Sequence, residues 1–330
     1  MAKSYLDVVV RYAEEVVGGR IVAGNNVREC RRFLADLTRP ELELRTHDPD
    51  FVINVIQAIM VHNQGEDLEG RSLVNTPLLL QPWQMFCIYN LVGFYHAGTN
   101  RRRFTESFIF VPRKNGKTLF DAALAFALAL LERKSGSTVY IVAGSLKQAT
   151  QAFECIVYAL QYRGLLAGFR VRDNNAEHSI VYTFKDKAGR PDGSIRIEAL
   201  AANPDTQDSF NCNICIADEI HSFRKAAQYN RFKEAMKAYT NKLRLGITTA
   251  GDNVNSFCYR RLEYAEKVLD GIVSDDSLFC FISKAEKDEN GEVDYLSPVQ
   301  HEKANPSYGV TIRPADILED ARQAQNDPQQ

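Results

Sequence analysis

The first 65 residues carry apolar positions at the spacing of amphipathic helices. Three groups of these positions recur every three to four residues, which places each group on one face of a helix. Asp48-Pro49 precedes the last group and supplies a helix cap followed by a proline at the first helical position. The groups are Val8, Val9, Tyr12 and Val16, then Phe33, Leu34 and Leu37, then Phe51, Val52, Val55, Ile56 and Ile59. The pattern predicts an N-terminal helical segment over residues 1–65.

From residue 108 the pattern changes to short apolar runs that alternate with helix-length segments. This alternation is typical of a parallel sheet that is covered by helices on both faces. The predicted strands are 108–111, 138–143, 180–184, 195–199, 213–217 and 243–248. The predicted helices are 118–132, 146–162, 226–239 and 256–269. We therefore predict an α/β fold in which a mainly parallel central sheet is flanked by helices.

Polar segments divide the chain further. The stretches 173–178 and 185–193 are rich in turn-forming and charged residues and predict a hairpin or surface excursions. After residue 271 the sequence becomes more polar, with charged runs at 275–276 and 284–292. We expect three segments: the helical segment 1–65, a core over 66–270, and a linker or subdomain over 271–330.

Composition and charge limit the possible functions. The 330 residues are 45% hydrophobic and 25% charged, as in ordinary globular proteins. Because 40 Lys and Arg face 42 Asp and Glu, no global basic field marks a nucleic-acid binder, and any DNA contact must be local. The basic clusters are 101–103, 113–114 and 224–242, and a solvated face is the simpler explanation of each.

Cysteine usage and hydropathy exclude further classes. Seven scattered cysteines favour a reduced compartment over a disulfide framework. Cys212-x-x-Cys215 lacks a second pair at metal-ligand spacing, so it does not predict a zinc site. The N-terminus lacks the apolar region of a signal peptide, and no stretch approaches the roughly 20 apolar residues of a membrane span, so we expect no membrane partner.

A phosphate site is predicted where the strand 108–111 runs into Pro112-Arg-Lys-Asn-Gly-Lys-Thr118 and an apolar helix. This strand–loop–helix order is the setting of a P-loop, in which backbone N–H groups and the helix N-terminus face phosphates. There Lys117 reaches the β/γ oxygens and the Thr118 hydroxyl ligates Mg²⁺. Val111 stands where the usual first glycine would be, so the Walker A motif is deviant. The alternative is a helix start that merely carries Gly-Lys-Thr.

A second motif supports the first. The apolar run 213–217 ends in Asp218-Glu219, which is the form of a Walker B motif. An Asp at the carboxyl end of a neighbouring strand can hold the Mg²⁺ shell, and an adjacent Glu can orient or deprotonate the attacking water. A strand-and-helix pair between the motifs, with the Glu directly after the Asp, is typical of motors and helicases. Thr240-Asn-Lys-Leu-Arg244 lacks the Asp of a guanine-reading N-K-x-D motif.

A polar strand end is the third candidate. The run 243–248 continues into Thr248-Thr249-Ala-Gly251, and hydroxyl groups beside the Walker pair could sense the γ-phosphate. The alternative is a strand that simply leaves its sheet through a turn.

These residues resemble the terminase large subunits of tailed double-stranded DNA phages, of the type found with HK97-like capsids. Leu80-Gln-Pro-Trp-Gln84 is similar to the adenine motif of that family, which implies that Gln84 reads the base and that Trp83 packs nearby. The stretch 111–118 is similar to the family's P-loop, which also lacks the first glycine. The resemblance implies phosphate binding by Lys114, Asn115 and Gly116 as well.

The remaining site assignments also follow from the resemblance. Arg113 matches a loop arginine that is expected to reach the γ-phosphate in cis, and it joins Lys117 and Glu219 as catalytic residues. Asp218 resembles the Walker B aspartate, which would share Mg²⁺ with Thr118. Thr248-Thr-Ala-Gly251 resembles the coupling motif, which assigns coupling to Thr248 and Thr249. Ala304-Asn-Pro-Ser-Tyr-Gly309 is similar to the segment that leads toward the family's linker.

The resemblance implies a P-loop NTPase of the ASCE type that uses ATP and Mg²⁺ to translocate double-stranded DNA into a procapsid. The implied partners are double-stranded DNA, the portal ring, the terminase small subunit and further copies of the chain in a ring. The implied location is the host cytoplasm, at the portal vertex during packaging. A neighbouring subunit would supply an arginine that the sequence does not place. Its candidates are Arg163, Arg170, Arg172, Arg190 and Arg224.

One family feature is missing from the pattern. Family members continue into an RNase H-like nuclease, whereas the residues after Gly251 show no array of acidic-tipped strands, so no nuclease activity is expected from this chain. Two other functions stay open. One is a helicase-like nucleic-acid-remodelling ATPase, and the other is an assembly scaffold that binds nucleotide without hydrolysing it. The presence of Glu219, a residue suited to hydrolysis, is evidence against the scaffold.

Overall fold

The computed structural model describes residues 4–175, 177–202 and 210–326. The helical segment contains α1 (Leu6–Val17), α2 (Val27–Asp36) and α3 (His47–Ile59), as the three apolar groups predicted. α3 begins one residue before Asp48, so Pro49 is its third residue rather than its first. Proline remains compatible with this position because the first helical turn has no intrahelical acceptor for its missing N–H.

Two short strands and a buried helix follow the helical segment. β1 (Leu42–Leu44) pairs antiparallel with β2 (Phe94–His96), and α4 (Pro82–Gly93) lies between them in sequence. Every residue of α4 after Pro82 is buried, because α1 and α3 pack on one side of it and the main sheet lies on the other.

The main sheet has eight strands. The helices and strands from β3 onward are β3 (Glu106–Phe110), α5 (Lys117–Leu131), β4 (Ser137–Ala143), α6 (Leu146–Tyr162), β5 (Arg170–Asp173), β6 (His178–Lys185), β7 (Pro191–Ala201), β8 (Ile214–Asp218), α7 (Ala227–Ala235), β9 (Leu243–Thr248), α8 (Phe257–Leu269), β10 (Leu278–Ile282), α9 (Pro298–Ala304) and α10 (Pro314–Asn326). The strand order is β10-β3-β9-β8-β4-β7-β6-β5. The first six strands of this order are parallel, and β6 and β5 extend the sheet as antiparallel hairpins. The predicted α/β fold with a mainly parallel sheet is confirmed.

The sheet is buried on both faces, as its continuous apolar strands predict. Alternate residues of β3 and β4 belong to two separate apolar clusters, since Ile109 and Ile141 lie in one and Phe108 and Val142 in the other. The first cluster packs under α5, α6 and the N-terminal helices, and the second under α7 and α8. Helices therefore cover both faces and leave the two ends of the parallel strands open.

One strand separates the two Walker strands in the sheet. β9 lies between the P-loop strand β3 and the Walker B strand β8. Close packing allows this arrangement because Gly246 of β9 has no side chain. A Cβ atom there would lie 2.6 Å from Cδ1 of Ile220. The insertion places Thr248 between the two Walker motifs.

One helix and one strand differ from the prediction. α7 ends at Ala235 rather than at residue 239, because the chain turns through 236–241 before β9. β10 lies in the segment 271–330 that the sequence assigned to a linker, yet it pairs with β3 along its whole length. Its five consecutive residues are all buried. The prediction missed this strand because the polar runs on either side dominated the pattern.

A buried ion pair fastens the helical segment to the main sheet. Arg103, which is 1% exposed, donates to Asp36 at the end of α2 and, over 2.6 Å, to Asp276 just before β10. Burial acts to raise the pKa of Asp276, but contacts with Arg39 and Arg103 hold it well below its usual range.

Within the described ranges, no helix is long and apolar enough to cross a bilayer.

Candidate nucleotide-binding site

The predicted P-loop joins β3 to α5 at the carboxyl edge of the parallel strands. The backbone N–H of Val111 donates to the carbonyl of Thr248 over 3.1 Å, so the sheet ladder continues to the start of the loop. Lys114 and Gly116 then take φ angles of 70° and 75°. Glycine adopts this left-handed region without cost, whereas a lysine there costs on the order of 1 kcal/mol and needs support from its surroundings.

Lys117 is the first residue of α5 and points back into the loop. Its ammonium group donates to the carbonyls of Val111, over 3.2 Å, and Pro112, over 3.0 Å, and the residue is 7% exposed. Burial lowers the pKa of Lys117, while the charges of Glu219 and Asp218 oppose that effect. The lysine therefore sits inside the curve of the loop with both acidic Walker B residues close by.

Asp218 ends β8 and faces the same edge. Burial raises the pKa of Asp218 to about 6, and the charge of Glu219 adds to this effect. Its Oδ1 atom is buried without a hydrogen-bond partner among the described residues. Since a buried carboxylate oxygen without a donor is costly, this atom is suited to a positively charged ligand.

Glu219 is turned away from regular strand geometry. Its φ angle is 50°, and its Oε2 atom lies 3.0 Å from Nδ1 of His221. Burial acts to raise the pKa of Glu219, but His221, Lys117 and Arg113 together hold it below its usual range. Glu219 is therefore ionised at neutral pH, as a residue that accepts a proton from water must be.

The sequence analysis missed Asp121 as a site residue. Asp121 lies one helical turn after Lys117, is 0% exposed, and neither of its oxygens has a donor among the described residues. Burial raises the pKa of Asp121 well above its usual range, and the neighbouring charges of Asp218 and Glu219 reinforce this. The signal that could have revealed it was a single acidic residue in the otherwise apolar helix α5.

Thr248 connects the end of β9 to the Walker B turn. Its hydroxyl accepts the backbone N–H of His221 over 3.0 Å, donates to the Thr249 carbonyl over 3.1 Å, and lies 3.5 Å from Nδ1 of His221. Thr249 is buried beside it. A displacement of Thr248 would therefore act on His221 and, through its ring, on Glu219.

The two adenine-motif residues lie at the start of α4. The indole ring of Trp83 stacks on Phe281 of β10 at a centroid distance of 5.5 Å, and its Nε1 donates to Oγ of Ser307 over 3.2 Å. Gln84 is also buried, and its Oε1 accepts the backbone N–H of Gln81 over 2.9 Å in a capping box. That amide oxygen therefore already stabilises the start of the helix, a role that the sequence analysis did not foresee.

The remaining predicted loop residues divide by exposure. Arg113, Lys114 and Gly116 are exposed, Thr118 is half-buried, and Asn115 is buried. The charge of Arg113 acts to lower the pKa values of both Lys117 and Glu219. The structure thus gathers the predicted catalytic and metal-binding residues at one edge of the sheet.

The residues at this edge fit Mg²⁺ bound together with a phosphate group. Across the described ranges, no group of three or more His, Cys, Asp and Glu side chains could hold a metal ion unaided, and all seven cysteines are free and buried. Mg²⁺ in phosphate sites needs only one or two carboxylates, because phosphate oxygens and waters complete its octahedral shell. Asp218, with its unpaired oxygen, could supply the carboxylate, and the Thr118 hydroxyl could supply a further oxygen ligand.

Comparisons with known proteins find relatives in sequence and in fold. Protein YmfN of Escherichia coli strain K12 is 30% identical over 119 residues, which are 36% of this chain and 25% of YmfN. The crystal structure of the HK97 bacteriophage large terminase matches with a TM-score of 0.66 at 20% identity, over 87% of this chain and 53% of that one. At this identity the likeness establishes the fold, and the chain spans about half the length of that terminase.

The sequence model described as terminase large subunit, ATPase domain, matches residues 82–267. The matched residues are more than half of the chain, and they include the P-loop, both acidic Walker B residues and the end of β9. By this match the chain belongs to the family of terminase large subunit ATPase domains.

Proposed function

We propose that this chain is the ATP-hydrolysing motor domain of a phage DNA-packaging terminase and that it translocates double-stranded DNA into a procapsid. The observation that carries the proposal is the convergence of four groups at one sheet edge. These are the Lys117 ammonium, the unpaired Asp218 oxygen, the ionised Glu219 and the Thr248 hydroxyl. Their arrangement suits hydrolysis of a nucleoside triphosphate.

Each group has a part in the proposed chemistry. Backbone N–H groups of residues 114–118 and the N-terminus of α5 bind the phosphates, and Lys117 exchanges its loop carbonyls for the β/γ oxygens. Thr118 and Asp218 would hold Mg²⁺, which when bound neutralises charge on the transferring phosphoryl group. Glu219 orients the attacking water and accepts its proton, while Arg113 approaches the γ-phosphate from the exposed side of the loop.

Motion is proposed to start at β9. Loss of the γ-phosphate changes the surroundings of Thr248 and Thr249, and Thr248 holds the backbone of His221 in the Walker B turn. The adenine base is proposed to lie near the start of α4. There the amide nitrogen of Gln84 can donate a hydrogen bond to the base, and Trp83 packs beside the base site. In this scheme residues 66–270 form the ATPase core, with β10 returning to its sheet, and 271–330 lead toward the rest of the packaging machine.

The proposed partners follow from the family. They are double-stranded DNA, the portal ring, the terminase small subunit and further copies of this chain in a ring, and the proposed place of action is the portal vertex in the host cytoplasm. A neighbouring arginine would complete each site of such a ring. No nuclease activity is proposed for this chain.

The direct test is turnover of Mg²⁺-ATP by the purified chain. Lys117→Ala should weaken nucleotide binding and lower the rate by about 10²-fold or more, since it removes the ammonium group proposed to contact the β/γ oxygens. Glu219→Gln should bind nucleotide like the parent but stall. Lys134→Ala is the matched control, because Lys134 is an exposed lysine paired with Asp192 at the opposite end of β4. A parent rate in Lys117→Ala would refute the P-loop assignment.

Two other results would point to the alternatives. Nucleotide binding without any turnover, with or without DNA, would favour an assembly scaffold. DNA-stimulated turnover accompanied by duplex unwinding in the absence of a portal would favour a helicase-like remodelling ATPase.

A further inference from the structure

The side chain of Asn115, in the middle of the P-loop, is turned inward and is 1% exposed. Its amide nitrogen donates to the carbonyl of Pro112 over 3.2 Å and to Oδ1 of Asn305 over 2.9 Å. Its amide oxygen accepts the backbone N–H of Ser307 over 3.0 Å. One loop side chain therefore makes two hydrogen bonds to a segment that lies 190 residues later in the chain.

The same segment contacts the loop at a second point. The Thr311 hydroxyl donates to the Lys114 carbonyl over 2.7 Å, and Lys114 is the non-glycine residue with φ of 70°. We call residues 305–311 the P-loop clamp. The clamp thus holds the two central residues of the loop, one through its side chain and the other through its carbonyl.

The clamp is itself anchored on two sides. Asn305 donates from Nδ2 to the His301 carbonyl over 2.9 Å, which fixes it to the end of α9. Ser307 accepts the Trp83 indole N–H, which fixes the clamp to α4. Because Trp83 lies in the buried helix α4, the anchor at Ser307 ties the clamp to the core of the protein.

Two residues of the P-loop motif are unfavourable for its conformation. Val111 replaces the usual first glycine, and Lys114 stands at a backbone angle that a side chain disfavours. The clamp lies outside residues 82–267, which the family model matches. Hydrogen bonds from outside the motif therefore offset the strain that the motif itself contains.

We infer that Asn305, Ser307 and Thr311 are positioning residues that keep the P-loop in its phosphate-binding conformation. This inference rests on the proposed function of the loop as the nucleotide site. The clamp contacts Lys114 and Asn115, and it makes no recorded contact with Asp218 or Glu219 in the described part of the chain. Loss of the clamp should therefore weaken nucleotide binding more than it slows the chemical step.

The size of the effect follows from the contact that is lost. Asn305→Ala leaves one N–H of the buried Asn115 amide without its acceptor, and such a loss corresponds to roughly 10-fold weaker nucleotide binding. Thr311→Val removes an exposed hydroxyl donor at nearly constant volume, so a smaller loss of about 2-fold to 5-fold is expected.

The experiment uses the full chain and two readouts. Amide hydrogen exchange over residues 113–118 is measured without nucleotide, and KM and kcat for ATP are measured together with the Kd of a fluorescent ATP analogue. Asn290→Ala is the control for Asn305→Ala, because Asn290 is an exposed asparagine whose amide nitrogen donates to Asp288 in a turn. Thr311→Ser, which keeps the hydroxyl donor, is the control for Thr311→Val.

We expect faster exchange in the loop and a higher Kd and KM for Asn305→Ala and Thr311→Val, with kcat within about 3-fold of the parent and both controls unchanged. Unchanged loop exchange in a folded Asn305→Ala protein would overturn the inference, as would a fall in kcat at constant KM. Equal losses in Thr311→Val and Thr311→Ser would also overturn it. If the parent chain failed to bind nucleotide, the proposed function would be wrong. The hydrogen-exchange measurement would still decide whether the clamp holds the loop.

Discussion

Glu29 is a buried acid whose replacement should change how stability depends on pH. It lies in α2, is 3% exposed, and its Oε1 atom accepts the backbone N–H of Ile282 at the end of β10 over 2.9 Å. Its Oε2 atom has no partner among the described residues. Burial raises the pKa of Glu29 to about 8, although Arg28 and the Ile282 amide act in the opposite direction. Between these two pKa values, 4.5 in the unfolded chain and about 8 in the folded protein, Glu29 keeps its proton in the folded protein and loses it in the unfolded chain.

The sign and size of the effect follow from proton linkage. Below pH 4.5 both states carry the proton, and above about pH 8 neither does, so the protonated form stabilises the fold at low pH and this contribution is lost as pH rises between the two values. The stability that the parent loses between these two pH values is at most roughly 5 kcal/mol. Glu29→Gln keeps an oxygen acceptor for Ile282 but cannot ionise. The free energy of unfolding of this variant should therefore not show the fall that Glu29 causes as pH rises.

The assay is urea unfolding of Glu29→Gln and of the parent at several pH values from 5 to 8.5. The stability of the variant relative to the parent should rise by a few kcal/mol across this range and level off above about pH 8. Any constant cost of the new amide N–H groups shifts the whole curve without changing its slope. Glu14→Gln, at an exposed position of α1, should run parallel to the parent. A difference between Glu29→Gln and the parent that stays constant with pH would refute the reasoning.

Three further predictions concern recognition, folding and assembly. Gln84→Ala should narrow the preference for ATP over GTP in competition binding. The Gln84 oxygen accepts the Gln81 N–H with one lone pair and has a second for adenine N6–H, while its nitrogen can donate to N7, whereas guanine presents two acceptors. Gln84→Glu, which keeps the acceptor for Gln81, controls for the helix cap, and unchanged discrimination in Gln84→Ala would move the adenine site elsewhere. Arg103→Met should cost on the order of 3 kcal/mol in chemical unfolding, because it removes the buried partner of Asp36 and leaves this carboxylate with the more exposed Arg39. Arg20→Met, at an exposed arginine, should cost little, and equal effects would contradict the buried ion pair. Specific ATPase activity should climb with protein concentration, since an arginine from a neighbour is worth about 10³-fold or more in related systems. A high activity that stayed flat over a hundredfold dilution of a monomeric sample would count against a ring.

Much of the fold was predictable because local pattern and tertiary environment agree. The strands 138–143 and 243–248 are rich in apolar residues, and the structure buries them in the middle of the sheet. The P-loop and Asp218-Glu219 were recognisable because their chemistry requires particular residue types at strand ends. The structure brings them together as expected, since parallel strands end at the same edge.

The rest depends on contacts between distant parts of the chain. Nothing near Asn305 in sequence indicates that it meets Asn115, because the contact requires β10 and α9 to return to the P-loop. Asp121 resembled an interruption of an apolar helix until β8 placed Asp218 next to it. The capping role of Gln84 was hidden by its resemblance to an adenine-reading residue. Each of these residues has a function that only its spatial neighbours define.

The position of β3 in the sheet affects the order in which the chain can fold during synthesis. Both neighbours of β3 come later in the sequence, β9 at 243–248 and β10 at 278–282. At about 5–20 residues per second, a ribosome needs roughly 10–30 s to extend the chain from β3 to the end of β9. During that time the apolar strand Phe108-Ile109-Phe110 has no sheet partner. Nascent chains are therefore exposed to aggregation until the second half emerges, and a chain released before β9 would have a P-loop motif without the sheet that shapes it.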